Sequence, residues 1–284
     1  MDFCIIIPAY NEEACLERCL KSFVEQTILP RKIVVVNDGS TDGTQAIIDC
    51  FSENYSFIEG IYNASEKMHL PGSKIVNAFY KGLQTLDTDF DLIGKFDADI
   101  ILPPNYFEKV LELFFSDDRI GVAGGNLFIE KDEHWEYENI SRKTKVRGPI
   151  KLYRKECFEE IGGLKKSIGW DTVDELLAQY HGWKIQTDTS LHVKHLKPTG
   201  KVYTKAARYK QGEAFYKMRY GFWLTLIASA KLAVKKKSFA YFLDCLKGYS
   251  KAKRAKLEYI VSAEEGEFIR NLRWKNIKKK IGLA

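Results

Sequence analysis

The sequence lacks the marks of several protein classes. Its six cysteines (Cys4, Cys15, Cys19, Cys50, Cys157 and Cys245) are scattered. None forms the short paired spacings of a zinc site, so buried free thiols in a reducing compartment are expected. No apolar stretch reaches the ~20 residues that span a bilayer. The longest runs from Tyr220 to Ala230 and on to Val234, with Lys231 inside it. Residues 1–7 carry no basic segment and stop at Pro8 after a strand-length run, so no signal peptide is expected and the cytoplasm is the default location. The turn after that run reads Pro8-Ala9-Tyr10-Asn11. It has no Gly-x-Gly-x-x-Gly, which argues against a dinucleotide dehydrogenase.

What is present is a chain of 284 residues, 45% hydrophobic, long enough for one large α/β domain and an appendage. Its net charge of +6 conceals an asymmetry. Residues 1–199 hold 23 basic and 32 acidic side chains, a net of −9, whereas residues 200–284 hold 21 and 6, a net of +15. Two regions with different roles are implied. The expected division is a catalytic domain over 1–200, with a nucleotide half at about 1–99 and an acceptor half at about 100–200, and a basic helical extension over 201–284.

Short apolar runs predict strands at 3–7, 32–36, 57–62, 91–96 and 120–129, with helical patterns at 12–24, 41–51 and 73–86 between them. This alternation predicts an α/β fold with a mainly parallel sheet flanked by helices. Ligands of such sheets gather beyond the carboxyl ends of the strands. Polar clusters stand at those ends: Pro8-Ala9-Tyr10-Asn11-Glu12, then Asn37-Asp38-Gly39-Ser40, then Asp97-Ala98-Asp99. Each has a plainer role, since Asn11 and Ser40-Thr41-Asp42 suit helix caps and Asp-x-Asp suits a solvated turn. Asp38 precedes the glycine turn and is not needed as a cap. Paired hard oxygen ligands such as Asp97 and Asp99 suit Mg²⁺ or Mn²⁺.

In order along the chain stand Ile5-Ile6-Ile7-Pro8-Ala9-Tyr10-Asn11-Glu12, Val34-Val35-Val36-Asn37-Asp38-Gly39-Ser40-Thr41-Asp42-Gly43-Thr44, Gly72, Asn77 and Phe96-Asp97-Ala98-Asp99. Arg147-Gly148, Gly162-Gly163, Gly169-Trp170-Asp171, Gly182 and Val193-Lys194-His195 follow. Over about 200 residues this series resembles the inverting glycosyltransferases of family two, which have the GT-A fold and include enzymes of bacterial envelope glycans. The resemblance implies that Pro8, Tyr10 and Glu12 line the base and ribose of a nucleoside-diphosphate sugar, with Gly72 and Asn77 in the same site. By the same resemblance Asp38 holds the base, Asp97 approaches ribose and diphosphate, and Asp99 is a metal ligand, with His195 facing the metal or diphosphate. The cofactor implied is Mg²⁺ or Mn²⁺, the donor a UDP-sugar, and the acceptor a saccharide or lipid-linked saccharide. Counting back from Gly182 aligns Asp171 with the catalytic base, although Trp170 stands where the family more often has glutamate. Asp174, three residues on, shares its helical face.

Two other readings compete with a transferase. A non-catalytic scaffold of the same fold is one, but Asp38, Asp97, Asp99 and Asp171 all remain. A sugar-nucleotide pyrophosphorylase is the other, and it would need a Gly-rich basic phosphate loop where Pro8-Ala9-Tyr10-Asn11 stands. In the basic tail, Phe239, Phe242, Leu243, Leu246 and Tyr249 fall on one helical face, followed by Lys251, Lys253, Arg254 and Lys256. An anionic membrane surface is the expected partner of 205–256, placing the protein on the inner face of the membrane, with packing on the catalytic domain or on a second subunit as the other reading. Nucleic acid is not expected as a partner, since no recognition module is present.

Overall fold

The computed structural model describes residues 1–63, 73–198, 205–280 and 282, with backbone alone at 205–207. Gly72 lies outside the described residues. Strands and helices alternate as β1 (Phe3–Ala9), α1 (Leu16–Val24), β2 (Lys32–Asn37), α2 (Thr44–Asn54), β3 (Ile58–Tyr62), α3 (Ser73–Leu83) and β4 (Leu92–Phe96). Next come β5 (Ile100–Ile101), α4 (Tyr106–Ser116), β6 (Ile120–Lys131), β7 (His134–Tyr137), β8 (Ile150–Arg154), α5 (Lys155–Glu160), α6 (Trp170–Tyr180) and β9 (Lys184–His195). Four helices follow: α7 (Lys205–Lys217), α8 (Gly221–Lys235), α9 (Phe239–Arg254) and α10 (Ala263–Lys280).

Two compact units result. The first comprises the described residues up to 164 other than 73, together with 181–198; the second comprises 73, 165–180 and those from 205 onward. Helix α6, carrying Asp171, therefore clusters with the C-terminal helices rather than with the sheet.

The sheet of the first unit runs β3-β2-β1-β4-β8-β6-β9-β5, with β7 on β6. It is parallel through β3, β2, β1 and β4. Beyond β4 it turns mixed, because β8 is antiparallel to both β4 and β6, while β9 is parallel to β6. Strands β1, β2 and β4 are almost wholly buried and mostly apolar, with Lys95 a charge enclosed in β4. The core beneath is aromatic, with Phe23 edge-on to Phe96 at 5.5 Å and Phe3 against Phe107 at 4.9 Å. The register pairs Ala9 with Asn37, which sets the ends of β1 and β2 side by side.

Helices α1 and α2 start later than the hydrophobic pattern suggests, at Leu16 and Thr44, because the residues ahead of them are bound to one another. Asn11 caps no helix. It sits at φ 54° and its Oδ1 accepts the Thr41 N–H at 2.8 Å, while its own N–H donates to Ser40 Oγ at 2.9 Å. Glu12 N–H donates to Thr44 Oγ1 at 2.8 Å, and Gly43 N–H to Glu13 Oε2 at 2.7 Å. The loops after β1 and β2 are thus laced across to each other. At α1 the local cap loses to these long-range bonds, each of which satisfies a backbone donor of the neighbouring loop, whereas at α2 Asp42 Oδ1 does accept the Thr44 N–H, at 3.1 Å.

In the second unit α7 and α9 cross at glycines. A Cβ on Gly212 would stand 1.8 Å from Cys245 O, and one on Gly248 2.0 Å from Tyr209 O, so the backbones approach as only glycine permits. Helix α8 packs on α9 with Ala233 against Tyr241 and Cys245. Helices α6 and α10 meet at Tyr180 and Phe268, 5.5 Å apart. The helical face expected at Phe239, Phe242, Leu243, Leu246 and Tyr249 divides here. Tyr249 is buried beside Tyr216 and Phe242 packs inward, leaving Phe239 and Leu243 exposed. Among the described residues no helix is long and apolar enough to cross a membrane.

Candidate active site

The carboxyl ends of β1, β2 and β4 carry the polar clusters to one edge of the sheet. At the end of β2, Asp38 is buried, its N–H donating to Ala9 O at 2.8 Å. Asn63 Nδ2 donates to Asp38 Oδ1 at 2.7 Å, and Lys74 Nζ lies 3.5 Å from Oδ2. The same Lys74 ammonium sits 3.5 Å from the centroid of the exposed Tyr10 ring, a cation–π contact. Tyr10, Asp38 and Lys74 therefore form one group. Pro8 is half-buried in β1, and Asn77 is exposed on α3, one turn beyond Lys74.

The second group stands at the end of β4. The turn Asp97-Ala98-Asp99 is pinned by its backbone: Asp97 N–H donates to Pro149 O at 3.0 Å, and Asp99 O accepts Leu196 N–H at 2.8 Å. That second bond extends the pairing of β5 with β9, in which Ile100 faces His195. The pairing carries His195 to the turn. Its Nε2 stands 3.6 Å from Asp99 Oδ2, and ligand atoms of Asp97, Asp99 and His195 all lie within 4.8 Å of one another.

Buried partners hold these side chains in place. Lys95, enclosed inside β4, is paired with Asp97 Oδ1. His195 Nδ1 is 3.1 Å from Glu138 Oε2, and Glu138 is also paired with Arg147. All three of these residues are buried. An ionised carboxylate only accepts hydrogen bonds, so Nδ1 carries a proton and donates to Glu138, which leaves Nε2 facing Asp99. Burial lowers the His195 pKa, but the bond to Glu138 and the charge of Asp99 outweigh it and the net direction is up. Asp99 is pushed up to about 7, first by burial and then by the neighbouring charge of Asp97. Nearby, Glu12 is raised by burial against the pull of Lys197, whose Nζ stands 2.6 Å from Glu12 Oε2.

Two carboxylates and an imidazole are a donor set that Mg²⁺ and Mn²⁺ accept. The residues also fit such an ion electrostatically, because burial and the neighbouring Asp97 charge both disfavour a charged Asp99, and a divalent charge offsets them.

In the helical unit, Asp171 lies in the first turn of α6 and is half-buried. Asp174 is fully enclosed, its Oδ1 accepting the Glu175 N–H at 2.6 Å. Trp170 is buried.

Glu138, Lys74 and Lys95 were not singled out from the sequence. Lys95 had a signal, a charge inside an otherwise apolar strand, which demands a buried partner. Glu138 had none, standing at the end of a polar stretch with several other acids.

Residues 4–165 match glycosyl transferase family 2. The chain is 28% identical over 135 residues to the uncharacterized glycosyltransferase YibD of Escherichia coli, a match covering 46% of this chain and 36% of that protein. It is 26% identical over 162 residues to the poly-beta-1,6-N-acetyl-D-glucosamine synthase of Staphylococcus aureus, covering 57% and 34%. The chain thus spans about a third of the length of each. In fold it is similar to S. aureus TarS 1-349, solved in complex with UDP-GlcNAc, with a TM-score of 0.58 at 19% identity over 77% of this chain and 65% of that one. It is similar also to the mannosyltransferase PcManGT of Pyrobaculum calidifontis, solved with GDP-Man and Mn²⁺, with a TM-score of 0.57 at 16% identity over 97% and 80%. The family match extends over more than half of the residues, and the chain belongs to glycosyl transferase family 2.

Proposed function

We propose that this glycosyltransferase moves a sugar from a nucleoside-diphosphate donor, a UDP-sugar, to a hydroxyl of a saccharide or lipid-linked saccharide in envelope polysaccharide synthesis, with inversion and with Mg²⁺ or Mn²⁺. The observation that carries this reading is the gathering of Asp97, Asp99 and His195 within 4.8 Å at the strand edge that also bears Asp38 and Tyr10. Support also comes from the kinds of ligand held by neighbours in fold, UDP-GlcNAc in one and GDP-Man with Mn²⁺ in another.

Tyr10 offers a flat ring to the base, Asp38 accepts hydrogen bonds from it, and Asp97 faces the ribose and diphosphate. Charge-assisted contacts of this kind contribute about 1.5–3 kcal/mol each. Asp99 and His195 would hold the ion, with Glu138 fixing the tautomer of His195 and Arg147 fixing Glu138. When bound, the ion neutralises the charge that builds on the departing nucleoside diphosphate. Asp171 takes the proton of the acceptor hydroxyl as its oxygen forms a bond to the anomeric carbon. The bond from that carbon to the diphosphate breaks from the opposite face, so the configuration inverts.

Calorimetric titration of UDP into the protein with and without Mn²⁺ tests the reading. Binding that depends on Mn²⁺ and is lost in Asp99→Ala supports it. Binding indifferent to both the ion and the substitution refutes it.

A further inference from the structure

Helix α8 is amphipathic in the wrong sense for a helix that serves only packing. Its buried positions include Thr225 and Ser229 beside Leu224 and Ala233. The opposite stripe, Trp223, Ile227, Ala230 and Val234, recurs at helical spacing along one face, and every member is exposed. Trp223 is 67% and Val234 79% exposed. Phe222 beside this stripe, and Phe239 and Leu243 on α9, add further exposed apolar surface.

Charge narrows the choice of what covers this face. Residues 221–243 contain no Asp or Glu, while Lys231, Lys235, Lys236 and Lys237 cluster at the end of α8 and are exposed. A second copy docking by the same face would set one lysine-rich segment against another, and 221–243 adds no acidic side chain of its own to offset them, which self-association disfavours. An anionic bilayer suits both features, acyl chains the exposed stripe and phosphate charge the exposed lysines. At 15 residues α8 is too short to cross a bilayer. It suits lying in the interface, where a tryptophan ring is favoured.

We propose that α8, with the start of α9, is a membrane-docking surface that seats the protein on anionic lipid through Trp223, Ile227 and Val234 and the lysines at 231–237. This surface belongs to the helical unit and holds whichever sugar the enzyme transfers.

The test is flotation of the full chain with vesicles of phosphatidylcholine alone or mixed with phosphatidylglycerol. Binding to the mixed vesicles, with a blue shift of tryptophan emission that Trp223→Phe reduces, supports the proposal. Combined Trp223→Ser, Ile227→Ser and Val234→Ser is expected to weaken partitioning on the order of a hundredfold or more. Replacing Lys235, Lys236 and Lys237 by Gln is expected to weaken it on the order of a hundredfold. Both sets alter exposed positions, and unchanged circular dichroism and donor binding confirm that they fold. Three results overturn the proposal: no binding to mixed vesicles, equal binding to both vesicle types with no effect of the lysine changes, or a stable dimer in sedimentation that the stripe substitutions dissociate.

Discussion

Replacing Glu138 by Ala removes a residue with no direct role toward the substrate in the proposed reaction, yet it is expected to weaken Mn²⁺ binding. Glu138 accepts the His195 Nδ1 proton at 3.1 Å, and it pairs with Arg147 inside the protein. Without it the imidazole is free to rotate or to exchange tautomers, and Nε2 no longer points consistently toward Asp99. Losing such an outer partner typically costs about 10- to 100-fold in metal affinity. The substitution also breaks a buried ion pair, a loss of about 3 kcal/mol or more in folding stability. Glu138→Gln separates the two effects. Its amide carbonyl still accepts from Nδ1, so affinity is expected within about tenfold of the parent, while stability falls because the charge facing Arg147 is gone. The assay is a Mn²⁺ titration followed by the paramagnetic resonance of the free ion, on protein shown to be folded, with urea unfolding run in parallel. Parental Mn²⁺ affinity in folded Glu138→Ala would refute the role assigned to this carboxylate.

Further outcomes follow from other parts of the structure. Asp171→Asn is expected to leave UDP affinity near the parental value while transfer falls by at least about 100-fold, in the range of a lost general base; a matching loss of donor affinity would place the residue in the nucleotide site instead. Asn11→Ala is expected to cost about 2 kcal/mol, combining the lost bond to Thr41 N–H with the strain of alanine at φ 54°, whereas Asn11→Gly relieves the strain and costs about 1 kcal/mol; equal losses in urea unfolding would contradict the strain component. In α7, Lys217 and Lys210 hold Glu213 below its ordinary 4.5 despite the upward push of burial. A depressed carboxylate contributes stability that is full above its unfolded pKa and is lost as pH falls through its folded pKa, so Glu213→Gln is expected to flatten the acid limb of the unfolding curve below about pH 4.5 while changing nothing in its slope above pH 6.

Much of this architecture was legible because a few signals were local. Runs such as Ile5-Ile6-Ile7 and Val34-Val35-Val36 mark strands buried on both faces, and the polar residues just past them fall at the edge where the site forms. His195 was placed beside the Asp97-Ala98-Asp99 turn on resemblance alone, and in the structure the pairing of β5 with β9 carries it there. What stayed hidden depends on pairing between distant segments. Strand β8 at Ile150–Arg154 wedges antiparallel between β4 and β6, and no periodicity in its own residues shows which neighbours it takes. The same holds for Glu138, which reaches His195 across 57 positions of sequence. Asn11 looked like a helix cap because short polar side chains suit caps, but a neighbouring loop offered it better-placed donors. On the tail, helical spacing alone put Tyr249 on the same face as Phe239, and only the crossing of α7 and α9 shows that Tyr249 points inward.

The central claim is that the carboxylates and histidine at the end of β4 and β9 hold a divalent ion beside a nucleoside diphosphate. A crystal grown with Mn²⁺ and UDP, with diffraction measured at the manganese absorption edge, tests it most directly. One strong anomalous peak bonded to Asp99 and His195 is expected, with the diphosphate beside it and the base against Tyr10 and Asp38. A peak bound elsewhere, or UDP seated away from Asp38 with no ion between Asp99 and His195, would contradict it.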